Sequence, residues 1–305
     1  MTHPTCAACP EPAAYLDRVL GEHLCAGHLV ERVEATFRET LRAPGGLVGG
    51  ERVAVAFSGG KDSSVLLHLL ATAAPPELHL ELVAVTIDEG IAGYRDMTIG
   101  AARELAARLG VEHRVVEFEM ACGRDLDDLV RGREHRACTV CGVLRRRLLQ
   151  GSAREIGADR LAMGHCLDDE AESVLMNWLR GDLYRTAGAR PRGGEGMVSR
   201  TKPLARIPEK EVVSYALLHD LAPDLPECPY TRHALRAGVR GLIHRAEFRS
   251  PGTMARVVAG QAGLEARFRG LLPPADFTTC PDCGEPVLGG ACRACALLGS
   301  ALEKH

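Results

Sequence analysis

Seven residues, Ser58-Gly-Gly-Lys-Asp-Ser-Ser64, stand between an apolar run and a helical pattern, and they limit the possible folds more than any other segment. Val53-Ala-Val-Ala-Phe57 reads as a buried strand, and Val65 to Leu70 lies on the following helix. Gly59 and Gly60 let backbone N–H groups approach a phosphate closely at such a turn. The helix start adds free donors and the positive end of its dipole. Lys61 supplies a point charge, Asp62 follows it, and Ser58, Ser63 and Ser64 supply hydroxyl donors. The spacing is not that of the Walker loop, which needs G-x-x-x-x-G-K-S/T.

The pattern then keeps alternating. Leu82 to Ile87 reads as a strand, Met97 to Leu109 as a helix and Arg114 to Phe118 as a strand. A helix is expected over roughly 143–156 and a fourth strand over Arg160 to Gly164. Strands and helices in alternation predict an α/β fold with a doubly wound parallel sheet. Ligands in such sheets bind at the carboxyl ends of the strands. Asp88 and Glu89 end the second strand, and read equally well as a solvated loop. The fourth strand runs into Gly164-His-Cys-Leu-Asp-Asp-Glu170. The paired carboxylates Asp168 and Asp169 are suited to hold magnesium or to take a proton.

Twelve cysteines are many for a chain of 305 residues. No apolar run reaches the ~18 residues of a membrane span, and the N-terminus has no basic-then-apolar leader pattern. A cytoplasmic location is therefore expected, with cysteines used for metal or redox chemistry rather than disulfides. Cys6, Cys9, Cys25 and His28 form one set with zinc-ligand spacing, and Cys280, Cys283, Cys292 and Cys295 form another. Both sets are closed, as structural sites are. Few apolar residues lie between the pairs, so each module is expected to need its metal to fold. Cys138-Thr-Val-Cys141 and Cys228 lie between these modules and have no fourth partner at zinc spacing. Three thiolates fit an iron–sulfur cluster with one open iron. They fit equally a persulfide carrier with a resolving pair, or zinc completed by Cys166 or water.

The formal charge is −3, which does not announce nucleic acid. Local charge does: Arg131, Arg133, His135 and Arg136 precede the middle cysteines, and Arg145, Arg146 and Arg147 follow them. Arg232, Arg236 and Arg240 recur every four residues, opposite Leu235, Val239, Leu242 and Ile243, with His244, Arg245 and Arg249 beyond. Such a stripe suits RNA phosphates, or is a solvated helix face. Gly181 to Thr201, rich in Gly and Arg, reads as a loop.

Ser-Gly-Gly-Lys-Asp-Ser resembles the PP-loop of the ATP pyrophosphatase superfamily, whose members hold the pyrophosphate of ATP and transfer AMP. Gly164 to Asp169 resembles that superfamily's second signature, with Cys166 in place of the usual Asn. These motifs, with Asp88-Glu-Gly-Ile-Ala-Gly-Tyr-Arg-Asp96, Cys138 to Arg147, Lys202 to Val212 and Glu227 to Tyr230, occur in order between two zinc modules. Together they resemble the tRNA 2-thiouridine synthetases of the TtuA type and their archaeal and eukaryotic wobble-uridine relatives, over about residues 5–298.

The resemblance implies ATP and Mg2+ on Ser58–Ser64, with Asp88, Gly164 and Asp169 nearby. It also implies two zinc ions in the end modules and a 4Fe-4S cluster on Cys138, Cys141 and Cys228. Lys61 would stabilise the departing pyrophosphate, and Asp169 would act through magnesium or as a base. The partners implied are tRNA and either a ubiquitin-like sulfur carrier ending in a thiocarboxylate or another sulfide donor, with no membrane; a homodimer stays open. Position 145 carries Arg where some relatives carry a catalytic Lys, and Arg does not readily lose a proton. The expected domains are 1–45 (zinc finger and linking helix), 46–272 (catalytic) and 273–305 (zinc ribbon). Two other classes stay open: a PP-loop enzyme thiolating or amidating another substrate, and a non-catalytic zinc-dependent RNA-binding protein.

Overall fold

The computed structural model describes residues 4–187, 196–221, 225–231, 235–268, 271, 277–288 and 292–302. A hairpin of β1 (Tyr15–Asp17) and β2 (Glu22–Leu24) leads into α1 (Ala26–Arg42). Next come β3 (Arg52–Ala56), α2 (Lys61–Thr72), β4 (Glu81–Asp88), α3 (Arg95–Leu109) and β5 (Glu112–Glu117). The short helices α4 (Phe118–Cys122) and α5 (Leu126–Val130) lead to α6 (Ala137–Ile156), β6 (Arg160–Ala162) and α7 (Leu167–Leu179). The chain continues through α8 (Leu183–Thr186), β7 (Ser199–Thr201), α9 (Glu209–Leu218), α10 (Leu235–Arg249) and α11 (Thr253–Phe268). A second hairpin, β8 (Phe277–Thr279) and β9 (Pro286–Leu288), precedes α12 (Arg293–Leu302).

Five strands form one parallel sheet in the order β5-β4-β3-β6-β7. The chain winds outward from β3 through β4 to β5, then returns to add β6 on the other side. The reversal falls between β3 and β6, the position where sheets of this kind take ligands at the carboxyl ends of the strands. Both motif-bearing loops leave from this point.

Residues of β3 alternate between the two faces, as strand geometry requires. Val53, Val55 and the following Phe57 join a core with α1, α2 and α9, whereas Ala54 packs with β4 and α6 on the opposite face. Leu29, Val33, Phe37 and Leu41 form one buried stripe of α1 in the first core. This helix, expected only to link, thus packs into the core of the parallel sheet. Cys6 and Cys25 belong to that core, and Cys280 and Cys292 to the other, so the two end modules sit on opposite faces.

Two expectations change. The segment from Gly181 to Thr201, expected as loop, contributes α8 and the edge strand β7; its residues 188–195 lie outside the described residues. The run Ser-Arg-Thr carries no apolar alternation, and pairing with β6 alone makes it a strand. The helix expected from about 143 begins at Ala137, so Cys138 and Cys141 lie on its first turns rather than ahead of it. Three residues apart on a helix, they share one face. The expected boundary at 272/273 lies outside the described residues. No helix among the described residues is long and apolar enough to cross a membrane.

Candidate functional site

The nucleotide loop is held by its own hydroxyls. Ser63 Oγ accepts from the Ser58 N–H at 3.1 Å and donates to the Gly60 carbonyl at 2.9 Å. Gly59 has φ +83°, and a Cβ there would lie 2.2 Å from the Thr98 carbonyl oxygen, so only glycine fits. The loop opens at the N-terminus of α2, where the first backbone N–H groups have no partner within the helix.

Gly164 presses against the same turn. A Cβ at 164 would lie 3.2 Å from the Asp62 carbonyl group and 3.3 Å from Ser63 Cα. The two signatures, a hundred residues apart in the chain, therefore meet backbone to backbone.

Charged side chains crowd this junction. Lys61 Nζ lies 3.0 Å from Asp62 and 2.9 Å from Glu209 at the start of α9. Asp168, 6% exposed, accepts from the Glu209 N–H at 2.7 Å. Burial pushes the Glu209 carboxyl up, but bonds from Arg240 and Lys61 outweigh it and hold it at about 2. Burial raises Asp62 and Asp168, with Lys61 opposing in the first and the Glu209 N–H in the second. Asp168, Glu209 and His244 offer ligand atoms within 4.8 Å of one another. Two carboxylate oxygens there suit a hard divalent cation.

Asp169 is engaged otherwise. Its carboxylate accepts from the Cys166 N–H at 3.1 Å, lies 3.5 Å from Cys166 Sγ and pairs with Arg236 at 3.1 Å. Cys166 is thus the buried residue ahead of α7, where Asn is usual. It packs with the first core, while Cys141 and Cys228 pack against the second.

At the end of β4, Asp88 accepts from the Gly90 N–H at 2.9 Å and shapes the turn. Glu89 is not a solvated loop residue: it is 3% exposed. Its carboxylate pairs with buried Arg95 at 2.8 Å, lies 3.6 Å from Arg145, and accepts from the Cys141 thiol at 3.9 Å. Arg95 donates also to the carbonyls of Ser58 and Ile87, so it ties the ends of β3 and β4 together. Arg145 and Cys141 hence approach the same Glu89 oxygen side by side.

The middle cysteines gather on that side. Cys138 donates to the Tyr230 carbonyl at 3.3 Å, two residues beyond Cys228. Burial pushes the Cys141 thiol up to about 12; Arg145 opposes this, while Glu89, Cys228 and Cys138 add to it. The three thiols are not among the groups with donor atoms within 4.8 Å of one another. A multi-iron cluster, each thiolate on its own iron, fits three such donors and leaves one iron without a protein ligand.

The end modules differ from this. Cys25 Sγ lies 3.1 Å and Cys6 and Cys9 Sγ 3.5 Å from His28 Nδ1, and Cys9 and Cys25 are 3.7 Å apart. Cys280–Cys295 and Cys283–Cys292 are 3.8 and 3.7 Å apart. Thiolates about 2.3 Å from a tetrahedral ion stand about 3.8 Å from each other, so both sets match one soft ion each.

The basic stripe faces inward as well as outward. Arg236 bonds Asp169 and Glu172, and Arg240 bonds Glu172 and Glu209, though the two side chains stay 41% and 47% exposed. Val239 and Ile243 are buried, Leu242 is exposed, and Arg232 lies outside the described residues. Sequence reading missed Arg95, Glu172 and Glu209 as site residues; the nearest signal was the placement of Glu209 in an ordered run of motifs.

A parallel sheet with a Ser-Gly-Gly-Lys-Asp-Ser cradle at its reversal defines a PP-loop protein, and residues 29–240 match the PP-loop domain family. More narrowly, the chain belongs to the tRNA 2-thiolation protein family. It is 38% identical to tRNA 2-thiolation protein NcsA of Haloferax volcanii, across 97% of this chain and 98% of that one. It is 39% identical to cytoplasmic tRNA 2-thiolation protein 1 of Bos taurus, across 98% of this chain and 88% of the relative. The structure of U34-tRNA thiolase NcsA from Methanococcus maripaludis, which has its [4Fe-4S] cluster, matches with a TM-score of 0.81 at 30% identity, covering 98% and 97% of the two chains.

Proposed function

We propose that this protein is an ATP-dependent tRNA-uridine 2-sulfurtransferase. The observation that carries the reading is the link from Ser58 of the nucleotide loop through Arg95 and Glu89 to Cys141, which joins an adenylation cradle to a cysteine centre.

Ser58–Ser64 would cradle ATP, and Asp168 and Glu209 would supply oxygens for its magnesium. The C2 carbonyl oxygen of a tRNA uridine attacks the α-phosphate, and pyrophosphate departs against Lys61 and the loop N–H groups. Asp88 and Gly164 keep the strand ends in shape, and Asp169 positions α7. Sulfide then adds at C2 and AMP leaves, so that one oxygen is exchanged for one sulfur without net oxidation. An iron–sulfur cluster on Cys138, Cys141 and Cys228 would supply an iron with no protein ligand, a place to hold sulfide. Arg145 balances negative charge beside that centre.

Cys6, Cys9, Cys25 and His28 would hold one zinc ion and Cys280, Cys283, Cys292 and Cys295 another, each closing an end module (1–45 and 273–305) beside the catalytic part, 46–272. The sulfur donor is a ubiquitin-like carrier with a C-terminal thiocarboxylate or another sulfide source. Arg146 supports contact with the tRNA backbone: it is exposed and has Arg145, Arg185, Arg200 and Arg293 close enough for their charges to act on it, a cluster of cations suited to phosphates. The relatives' names support tRNA as the substrate and the cytoplasm as the location.

Anaerobic thiolation assays on the Cys138→Ala variant test the proposal. Loss of 2-thiouridine with unchanged ATP binding and lowered iron content is expected. Retained thiolation refutes the cysteine centre.

A further inference from the structure

We propose that Arg240 is a second phosphate-binding cation of the nucleotide site, and that Glu209 is a clasp holding Arg240 and Lys61 together until the triphosphate enters. The inference rests on the adenylation reading above and adds a residue that no nucleotide motif marks.

Glu209 shares its two oxygens between two helices. Oε1 accepts from Lys61 Nζ at 2.9 Å, at the start of α2, and Oε2 accepts from the Arg240 guanidinium on α10. Any anion that replaces Glu209 on Lys61 therefore arrives within reach of Arg240. Glu209 itself is held from behind, because its N–H is bonded to Asp168.

Arg240 is aimed rather than loose. Its Nε lies 3.7 Å from Glu172, which is 1% exposed and also bonds Arg236 at 3.0 Å. Glu172 on α7 thus fixes the stem while the guanidinium stays about half exposed and free to change partner. A planar guanidinium with parallel donors matches phosphate oxygens in a way that an ammonium cannot.

Charge balance points the same way. Asp62, Asp168, Asp169, Glu172 and Glu209 face Lys61, Arg236 and Arg240, with His244 3.5 Å from Asp168. Carboxylates outnumber the permanent cations, so a triphosphate cannot be added on top of these contacts. It has to take cations over from carboxylates. Glu209 and Glu172 each hold two cations, but Glu172 is 1% exposed and holds Arg236 and Arg240, whereas release of Glu209 frees Lys61 of the loop together with Arg240. Glu209 also lies at ligand spacing with Asp168, so the divalent cation that accompanies ATP gives it a new partner.

Calorimetric titration with magnesium-free ATP, without tRNA, tests the clasp on the full chain. Arg240→Ala should raise the Kd about 10- to 100-fold, the worth of a charge-assisted bond. Arg240→Lys should recover part of this, because it restores charge without the fork. Glu209→Gln should lower the Kd, because nothing then competes for the two cations. An unchanged Kd in Arg240→Ala at an unchanged melting temperature overturns the proposal, and so does weaker binding in Glu209→Gln. If Arg240→Ala does not fold, Arg240→Lys and Glu209→Gln decide. A raised KM for tRNA with an unchanged Kd for ATP assigns Arg240 to RNA phosphate instead, and also overturns it. Failure of the wild type to thiolate any tRNA refutes the proposed function alone, because these titrations need no tRNA.

Discussion

Arg95 Nε lies 2.8 Å from the carboxylate of Glu89, and both side chains are only 4% exposed. This ion pair sits between the nucleotide loop and the middle cysteines. On one side Arg95 holds the Ser58 carbonyl, and on the other Glu89 meets Cys141 and Arg145.

Removing Glu89 leaves a buried guanidinium without its carboxylate. Glu89→Ala is expected to lower the unfolding free energy by about 3 kcal/mol, and Glu89→Gln by less, since the amide still accepts a bond. Urea denaturation measures both. Wild-type stability in Glu89→Ala would remove the pair from any structural account of the site.

Gly59 offers a sharper test of the loop. Alanine there meets both a left-handed backbone and the Thr98 carbonyl. The strain alone is worth about 1–3 kcal/mol, and the neighbour is backbone that cannot turn aside. Gly59→Ala should lose ATP binding by calorimetry and melt below the wild type.

The two end modules should fail differently. Cys25 precedes α1, whose Leu29, Val33, Phe37 and Leu41 fill the first core. Cys25→Ser should release one zinc per chain and lower the melting temperature of the whole protein. Cys283→Ser should release one zinc as well, but proteolysis is expected to attack residues from about 277 onward first, leaving the sheet intact. Metal analysis with limited proteolysis separates the two. Equal damage from both would contradict the packing.

Acid should weaken one contact in a defined window. The Glu209 carboxyl titrates at about 2 in the folded chain against an ordinary value of 4.5. A folded value below the unfolded one means that its contribution is complete above pH 4.5 and is lost as pH falls from there through about 2. Asp168 and Glu172 are raised by burial, so their protonation on acidification works the other way. The difference in unfolding free energy between wild type and Glu209→Gln isolates Glu209. It should shrink between pH 4.5 and 2, and a flat difference would contradict the two bonds that hold it.

Much of the fold was legible because its elements are local. Val53 to Phe57 announces a buried strand by composition, and Met97 to Leu109 repeats at helix spacing. The metal sets at the ends were legible for the same reason: each pair of ligands lies within a few residues, and a knuckle is a local shape. The edge strand β7 was not legible, because Ser199-Arg-Thr201 has no pattern of its own and gains strand geometry only from β6. The start of α6 was misplaced because cysteines at C-x-x-C spacing read equally as a knuckle or as one helix face.

The sequence by itself determined the alternating order of strands and helices, the phosphate loop with its Lys61 and the ligand sets at the ends. These depend on residues near one another in the chain. Only the tertiary structure decided which distant charges meet: Glu89 with Arg95 and Arg145, Glu209 with Lys61 and Arg240, and Asp169 with Arg236. Pairings of this kind depend on strand order and on which face a side chain leaves, and a charged residue carries no local mark of the partner that folding will bring to it.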